Sequence, residues 1–445
     1  MRLAIILAWF LAALTPTAVA QTDVVPIDRL VIQEWNGDLY FYNANADGQL
    51  TLLTTLTDFL LEQGPGFSSG EWRIFQIPTI AVSPDGRHVA FTASGPGWRA
   101  ALFLYTVGEP ELHPVEVPGE GTLKWSPDSQ TILLCPAGLA YNGSSRTVRD
   151  YYLYDLAADT VTLFAPLPNT AWNAWLPDSS GLIGHTTHCI DYLCTDELIV
   201  IDRDGQNPRQ LTDTRAQLPP NLAGDNLWCG IRNPVWSAAS ARFYYVLRCD
   251  PSGTDWYMGH DNLYSVSLES DNRLELNLSA LYPGDENFHL TIHAIHPTRG
   301  GLIETVVERE YVRAGQMQVD VQLFQLTAPK KWEIIYSTSE SSGFTFNASA
   351  LSEPYLALSD GGYDSKSQLT VINLDTHTTA AWNTPYMPLI LEWLAPEILQ
   401  YTEYSGNSRA YLNAPEKSRR LNVNTGAFTT LFPGLQGAVW VLPRQ

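Results

Sequence analysis

Histidine is the side chain best suited by type to metal binding or proton transfer near neutral pH, and two groups of histidines stand out in this sequence. His289, His293 and His296 fall within eight residues, and His185 and His188 lie close to Cys189 and Cys194. Imidazoles so spaced can hold a transition metal. In a strand, however, alternation sets His289 and His293 on one face and His296 on the other. Satisfied or solvated histidines are the simpler reading, and neither a metal nor any other cofactor is expected.

A second candidate is the run Asn43-x-Asn45-x-Asp47-Gly48, which places oxygen ligands at alternate positions like half of a calcium loop. Thr54 stands where such a loop needs its bidentate glutamate, so a hairpin turn is the expectation. The sequence has no G-x-S-x-G, H-E-x-x-H, P-loop or G-x-G-x-x-G segment, and no catalytic residue is assigned.

Aromatic side chains are the remaining chemical material. With 14 Trp and 21 Tyr, the chain holds more rings than its cores need. Trp72, Trp98, Trp172, Trp228, Trp256 and Tyr257 lie in or near long stretches between strand signals. Rigid amphipathic rings there would anchor a protein or a sugar.

Five cysteines are too few for a disulfide scaffold but enough for local staples. Cys189 and Cys194 flank a short loop and Cys229 and Cys249 flank a strand pair, which favours those two pairings. Cys135 is then left over in the apolar segment Thr131-Ile132-Leu133-Leu134, as an inert buried thiol.

Charge narrows the partners. With 47 Asp and Glu against 26 Lys and Arg, the chain repels phosphate backbones, so nucleic acid is an unexpected partner. Residues 1–20 read as an export signal: Arg2, an apolar run Leu3 to Leu14, then Ala18-Val19-Ala20 as a cleavage motif. That run is too short for a permanent membrane span, and no later segment approaches the required length. Residues 21–445 are expected to act outside the cytoplasmic membrane, secreted or periplasmic, as one domain and as a monomer.

What positions these side chains is a repeat. From Ile80 onward the chain returns every 40 to 60 residues to an apolar residue, a small polar residue, a Pro-Asp turn and an apolar strand. The clearest copies are Val82-Ser83-Pro84-Asp85-Gly86, Trp125-Ser126-Pro127-Asp128-Ser129 and Trp175-Leu176-Pro177-Asp178-Ser179. Weaker ones start at Val235-Trp236-Ser237, Ala294-Ile295-His296-Pro297, Ser349-Ala350-Leu351-Ser352 and Glu392-Trp393-Leu394-Ala395-Pro396. Proline presets φ, aspartate hydrogen-bonds the local backbone, and Gly or Ser takes the remaining turn geometry. Further strand signals follow each copy, as in Tyr151-Tyr152-Leu153-Tyr154-Asp155 and Asn262-Leu263-Tyr264-Ser265-Val266, so each unit holds four strands.

This repeat resembles the WD40-like, TolB-type β-propeller family. Ser83-Pro84-Asp85-Gly86 with Val89-Ala90-Phe91, Trp125-Ser126-Pro127-Asp128, and Asp204-Gly205 with Gln210-Leu211-Thr212 carry the likeness. Ala238-Ala239 and Thr298-Arg299 depart from the Pro-Asp pattern. The resemblance implies an all-β propeller of four-stranded blades. At the N-terminus, 30–54 reads as the last three strands of a blade, and Gly437 to Pro443 reads as its missing first strand. Seven internal starts plus this shared blade make eight, with seven as the alternative.

The longer insertions, 58–77, 137–149, 214–231 and 249–260, are expected on the faces or rim of the disc. TolB engages partners in the bacterial envelope, so the resemblance implies a scaffold that recognises a protein or peptide, without catalysis. The alternative is a carbohydrate-active propeller, either a glycan binder or a polysaccharide lyase. Oligogalacturonate lyases, a propeller family related to this repeat, use histidines and a metal, which would draw on His185, His289 and His293.

Overall fold

Antiparallel hairpins follow one another along almost the whole chain, in a computed structural model that describes residues 30–35, 38–44, 50–56, 58, 80–94, 100–107, 109, 112–117, 121–136, 150–164, 167, 170–190, 193–217, 227–251, 260–282, 287–313, 316–328, 330–341, 345–361, 367–385, 387–395, 397–404, 415–430 and 438–441. Helix is confined, among the described residues, to short turns such as Thr214–Gln217 and Leu278–Leu281.

Five sheets have four strands each, and a sixth has twelve. The twelve-stranded sheet consists of three antiparallel runs, 170–210, 227–277 and 287–341. Short parallel contacts join them, Cys194 opposite Trp228, Thr195 opposite Cys229 and His260 opposite Leu290. The other four-stranded runs are 81–117, 121–164, 345–384 and 387–430. The chain ends share the remaining sheet, where Ala438–Val441 pairs antiparallel with Leu30–Trp35, Ile32 lying opposite Trp440. That pairing covers an edge that each terminal strand would otherwise expose.

The cores lie between runs rather than within them. Leu30, Phe41 and Leu56 pack against Phe91, Phe103 and Tyr105 of the following run. Leu102 and Leu104 meet Trp125 and Ile132, and Leu133 and Phe164 meet Trp172 and Leu182. The same pattern continues through Leu198 with Phe243, Val246 with Leu290, Leu323 with Leu358, and Leu369 with Leu399. Consecutive runs from 30–56 to 387–430 thus bury facing sides against one another, which explains strands that are apolar on both sides, such as Ala100–Thr106.

The Pro-Asp turns lock these layers. Ser83 Oγ donates to Asp85 Oδ1 and accepts from His88 N, closing the turn, and Ser126 repeats this with Asp128 and Thr131. Gly86, Ser129 and Ser179 hold the left-handed position, at φ 72°, 61° and 63°. Serine costs more than glycine there, but its hydroxyl bridges to the preceding run: Asp85 N donates to Ser129 Oγ and Asp128 N to Ser179 Oγ, both at 3.0 Å.

Candidate functional site

In a four-stranded antiparallel run, the first-to-second and third-to-fourth turns leave one end, while the second-to-third and run-to-run connections leave the other. The Pro-Asp turns mark the first end. All four longer insertions mark the second, which is called the loop end below. Their middle residues, with Trp72, Trp98, Trp256 and Tyr257, lie outside the described residues, as do Asn45, Asp47 and Gly48. Two of the insertions are shorter than the sequence suggests, because Leu227–Ser237 and Arg242–Pro251 run into them as strand.

Two disulfides brace the loop end. Cys189 and Cys194 are joined across the hairpin Gly181–Ile190 and Leu193–Asp202, and Cys229 and Cys249 across the next pair of strands. The parallel contact sets Cys194 beside Trp228 and Thr195 beside Cys229, so both staples and the indole share one rim. Cys135 is partly buried and belongs to neither disulfide.

On the strand Leu227–Ser237, Trp228, Gly230 and Arg232 share one face by alternation. The absent side chain of Gly230 leaves a methyl-sized notch against the Trp228 indole: a Cβ there would be in ordinary contact with Trp228 Nε1 and Asp196 Oδ2, both at 3.6 Å, and with Trp228 Cδ1 at 3.9 Å. The Arg232 side chain is 41% exposed, yet its Nη2 is held by both oxygens of the fully buried Asp261 at 2.6 and 2.5 Å. Burial pushes the Asp261 carboxyl up, and the charge of Arg232 pulls it back.

Asp261 also accepts from Ile292 N at 2.7 Å, and Asp196 accepts from Ile231 N at 3.1 Å. The two acids occupy matching places, Asp196-Glu197-Leu198 and Asp261-Asn262-Leu263, and each ties its third strand to the first strand of the next run. That recurrence was available in the sequence and marks acids overlooked by a search for catalytic patterns.

The histidines are distributed among separate partners. His185 Nδ1 lies 2.9 Å from Asn173 Oδ1 and its Nε2 3.8 Å from Asp196 Oδ2. His188 is exposed. Arg248 Nη1 reaches His289 Nε2 at 2.8 Å, His293 Nε2 lies 3.5 Å from Glu308, and His296 Nε2 lies 2.8 Å from Ser349 Oγ. Strict alternation does not set the faces of the last three, because a register shift between Ile292 and Ala294 breaks the two-residue period between His289 and His296. Among the described residues, no three His, Cys, Asp or Glu side chains gather to hold a metal ion.

Trp172 differs from its expected place as a ligand-face ring. It sits in the strand Thr170–Trp175, only 3% exposed, edge-on to Phe164 and over Gly184. Burial against the preceding run takes it out of the loop end. Trp228 alone of the six aromatics is described at the rim.

The arrangement offers an indole, a notch and a guanidinium on a disulfide-braced edge. That is equipment for binding a carboxylate or a peptide carbonyl beside an apolar group. No helix among the described residues is long and apolar enough to cross a membrane.

Four-stranded antiparallel runs stacked face to face in chain order, with Pro-Asp turns at one end, define a β-propeller fold. The chain is similar over 94% of its length, and 76% of the other's, to the dihydro-heme d1 dehydrogenase NirN, with 12% identity and a TM-score of 0.53. It also matches the β-propeller domain of the Trilobed protease from Pyrococcus furiosus at 9% identity, with 78% and 94% of the two chains covered and a TM-score of 0.43. A prolyl endopeptidase matches at 14% identity with a TM-score of 0.47. There 89% of this chain is covered, and it spans 55% of the peptidase's length. Identities this low speak to fold alone. No protein-family model matches the chain, and no curated protein does.

Proposed function

We propose that this protein is an exported propeller of eight blades that binds a protein or peptide partner at its loop end. The eight blades are the seven internal runs and the sheet shared by both chain ends, which would close the ring. Export through residues 1–20, leaving 21–445 as a single domain, agrees with two disulfides, which persist in oxidising compartments. The observation that carries the binding reading is the Trp228–Gly230–Arg232 face of the strand Leu227–Ser237, held on a rim stapled by two disulfides.

The test is capture of envelope and culture-supernatant components of the source cell on immobilised protein, run beside Trp228→Ala and Arg232→Ala. A protein retained by the unaltered chain and lost from both variants supports the reading. A protein that both variants still retain overturns the notch as the contact. Retention of polysaccharide alone overturns the protein partner and favours the carbohydrate-active alternative, which a lyase assay with and without chelator would then divide.

A further inference from the structure

A cleft lies where the turns depart from the Pro-Asp pattern. At the turn end, serine hydroxyls bridge 81–117 to 121–164 and 121–164 to 170–210. Between 227–277 and 287–341 the corresponding turns are Ser237-Ala238-Ala239-Ser240-Ala241 and Thr298-Arg299-Gly300-Gly301. Gly301, at φ +85°, occupies the left-handed position that Ser129 holds elsewhere, and it has no hydroxyl to make the bridge. A Cβ on Gly301 would stand 3.2 Å from the Ala239 methyl, so a side chain there would crowd that methyl.

The cavity has a volume of about 510 Å³ and is lined by both turns and by the strand ends behind them. That volume lies within the ~300–1,000 Å³ typical of small-molecule sites. Its walls mix charge, hydroxyl and apolar surface: Arg273 and Glu275, Tyr244 and Thr327, Leu302 and Leu326.

Charge in the wall is internally matched. Arg242, buried, donates to Asp271 Oδ2 at 3.0 Å and to Ser265 Oγ at 2.8 Å, and Arg273 also pairs with Asp271. Glu275 accepts from Ser265 Oγ at 2.7 Å. Arg242, Arg273 and Glu275 line the cleft and Asp271 pairs with both arginines beside it, so the local charges sum to zero. The wall itself offers donors and acceptors on Arg273, Glu275, Tyr244 and Thr327, together with two leucines.

We propose that this cleft binds a neutral, hydroxyl-rich ligand, one or two sugar residues, at the end of the molecule opposite the proposed partner notch. Hydroxyl groups can both donate and accept, which matches paired arginine and carboxylate walls. The C–H face of a sugar ring suits Leu302 and Leu326. Gly300 leaves the mouth open, since a Cβ on it would find only Thr298 Oγ1, at 3.9 Å.

The experiment is ligand-observed saturation-transfer NMR on the full chain with glucose, galactose, mannose, N-acetylglucosamine, maltose and cellobiose, with galacturonate and phosphate as charged probes. Gly300→Trp fills the mouth, and Thr327→Trp fills it from an exposed strand end should the first variant not fold. At least one neutral sugar is expected to bind, and to lose about tenfold or more in affinity in the filled variant. Absence of sugar binding, binding that survives the filled mouth, or preference for galacturonate or phosphate overturns the proposal.

Discussion

The indole N–H of Trp175 donates to the backbone oxygen of Lys124 at 2.9 Å, across the boundary between two consecutive runs. Trp125 makes the same bond to Ala81 at 2.9 Å, and Trp393 to Ala350 at 3.0 Å. The tryptophan that precedes the turn therefore fills the space between sheets and also hydrogen-bonds a backbone carbonyl of the neighbouring sheet.

Replacing Trp175 by Phe keeps most of the packing and removes the donor. The expected cost is about 1–2 kcal/mol, from the lost bond and the stranded carbonyl. Trp175→Ala adds a cavity and should cost about 3–5 kcal/mol. Urea unfolding of both variants checks the ranking, and equal losses would show that the hydrogen bond contributes nothing.

Glu304 is fully buried, opposite His296 in register, with Gln325 donating to it at 2.7 Å. Burial pushes its carboxyl up to about 7. A raised folded-state value means that its stabilising contribution is complete below about pH 4.5 and is lost as pH rises through 7. Burial also pushes His296 down to about 4, so the contribution of that group is present above about pH 6.5 and lost as pH falls through 4. Between pH 5 and 8 Glu304 should take away about 2–3 kcal/mol while His296 adds about 2 kcal/mol, so the two largely offset. Glu304→Gln should therefore gain stability from pH 5 to pH 8 where the unaltered chain changes little, which denaturant midpoints at the two pH values will measure.

The disulfides close loops of different size, with sequence separations of 20 for Cys229–Cys249 and 5 for Cys189–Cys194. On chain entropy, opening the first should cost about 3 kcal/mol and the second about 2 kcal/mol. Cys249→Ser and Cys194→Ser, compared by thermal unfolding, should fall in that order.

Asp261 and Arg232 should respond unequally to deletion. Asp261→Ala strands a guanidinium and also the N–H of Ile292, and is expected to cost about 3 kcal/mol. Arg232→Ala leaves Arg248 4.0 Å from the carboxylate and should cost less. A chemical-denaturation comparison in which Arg232→Ala is the more damaging would reverse the assigned roles.

Much of the architecture is legible in local pattern. Pro84-Asp85, Pro127-Asp128 and Pro177-Asp178 each dictate a turn from within four residues, and the aromatic strands around them need only their own alternation. The pairing of 30–35 with 438–441 also follows from an incomplete first unit and a spare last strand. The loop-end chemistry follows no such local rule. Arg232 meets Asp261, and Arg248 meets His289, through registers set by whole strands, and a single bulge beside His293 overturns the alternation on which its neighbours' faces were assigned.

Sequence alone thus determined the elements: their type, their order, their turns and the four-strand repeat, because each is decided by interactions a few residues long. Tertiary structure decided which side chains meet. It buried Trp172, left Trp228 beside a glycine notch, split the histidines among separate partners, and opened a cleft where Gly301 lacks the hydroxyl that Ser129 supplies. The physical reason is that packing one sheet on the next couples residues 40 or more positions apart, as in the Trp175–Lys124 bond, and such coupling depends on register and twist accumulated over the whole stack.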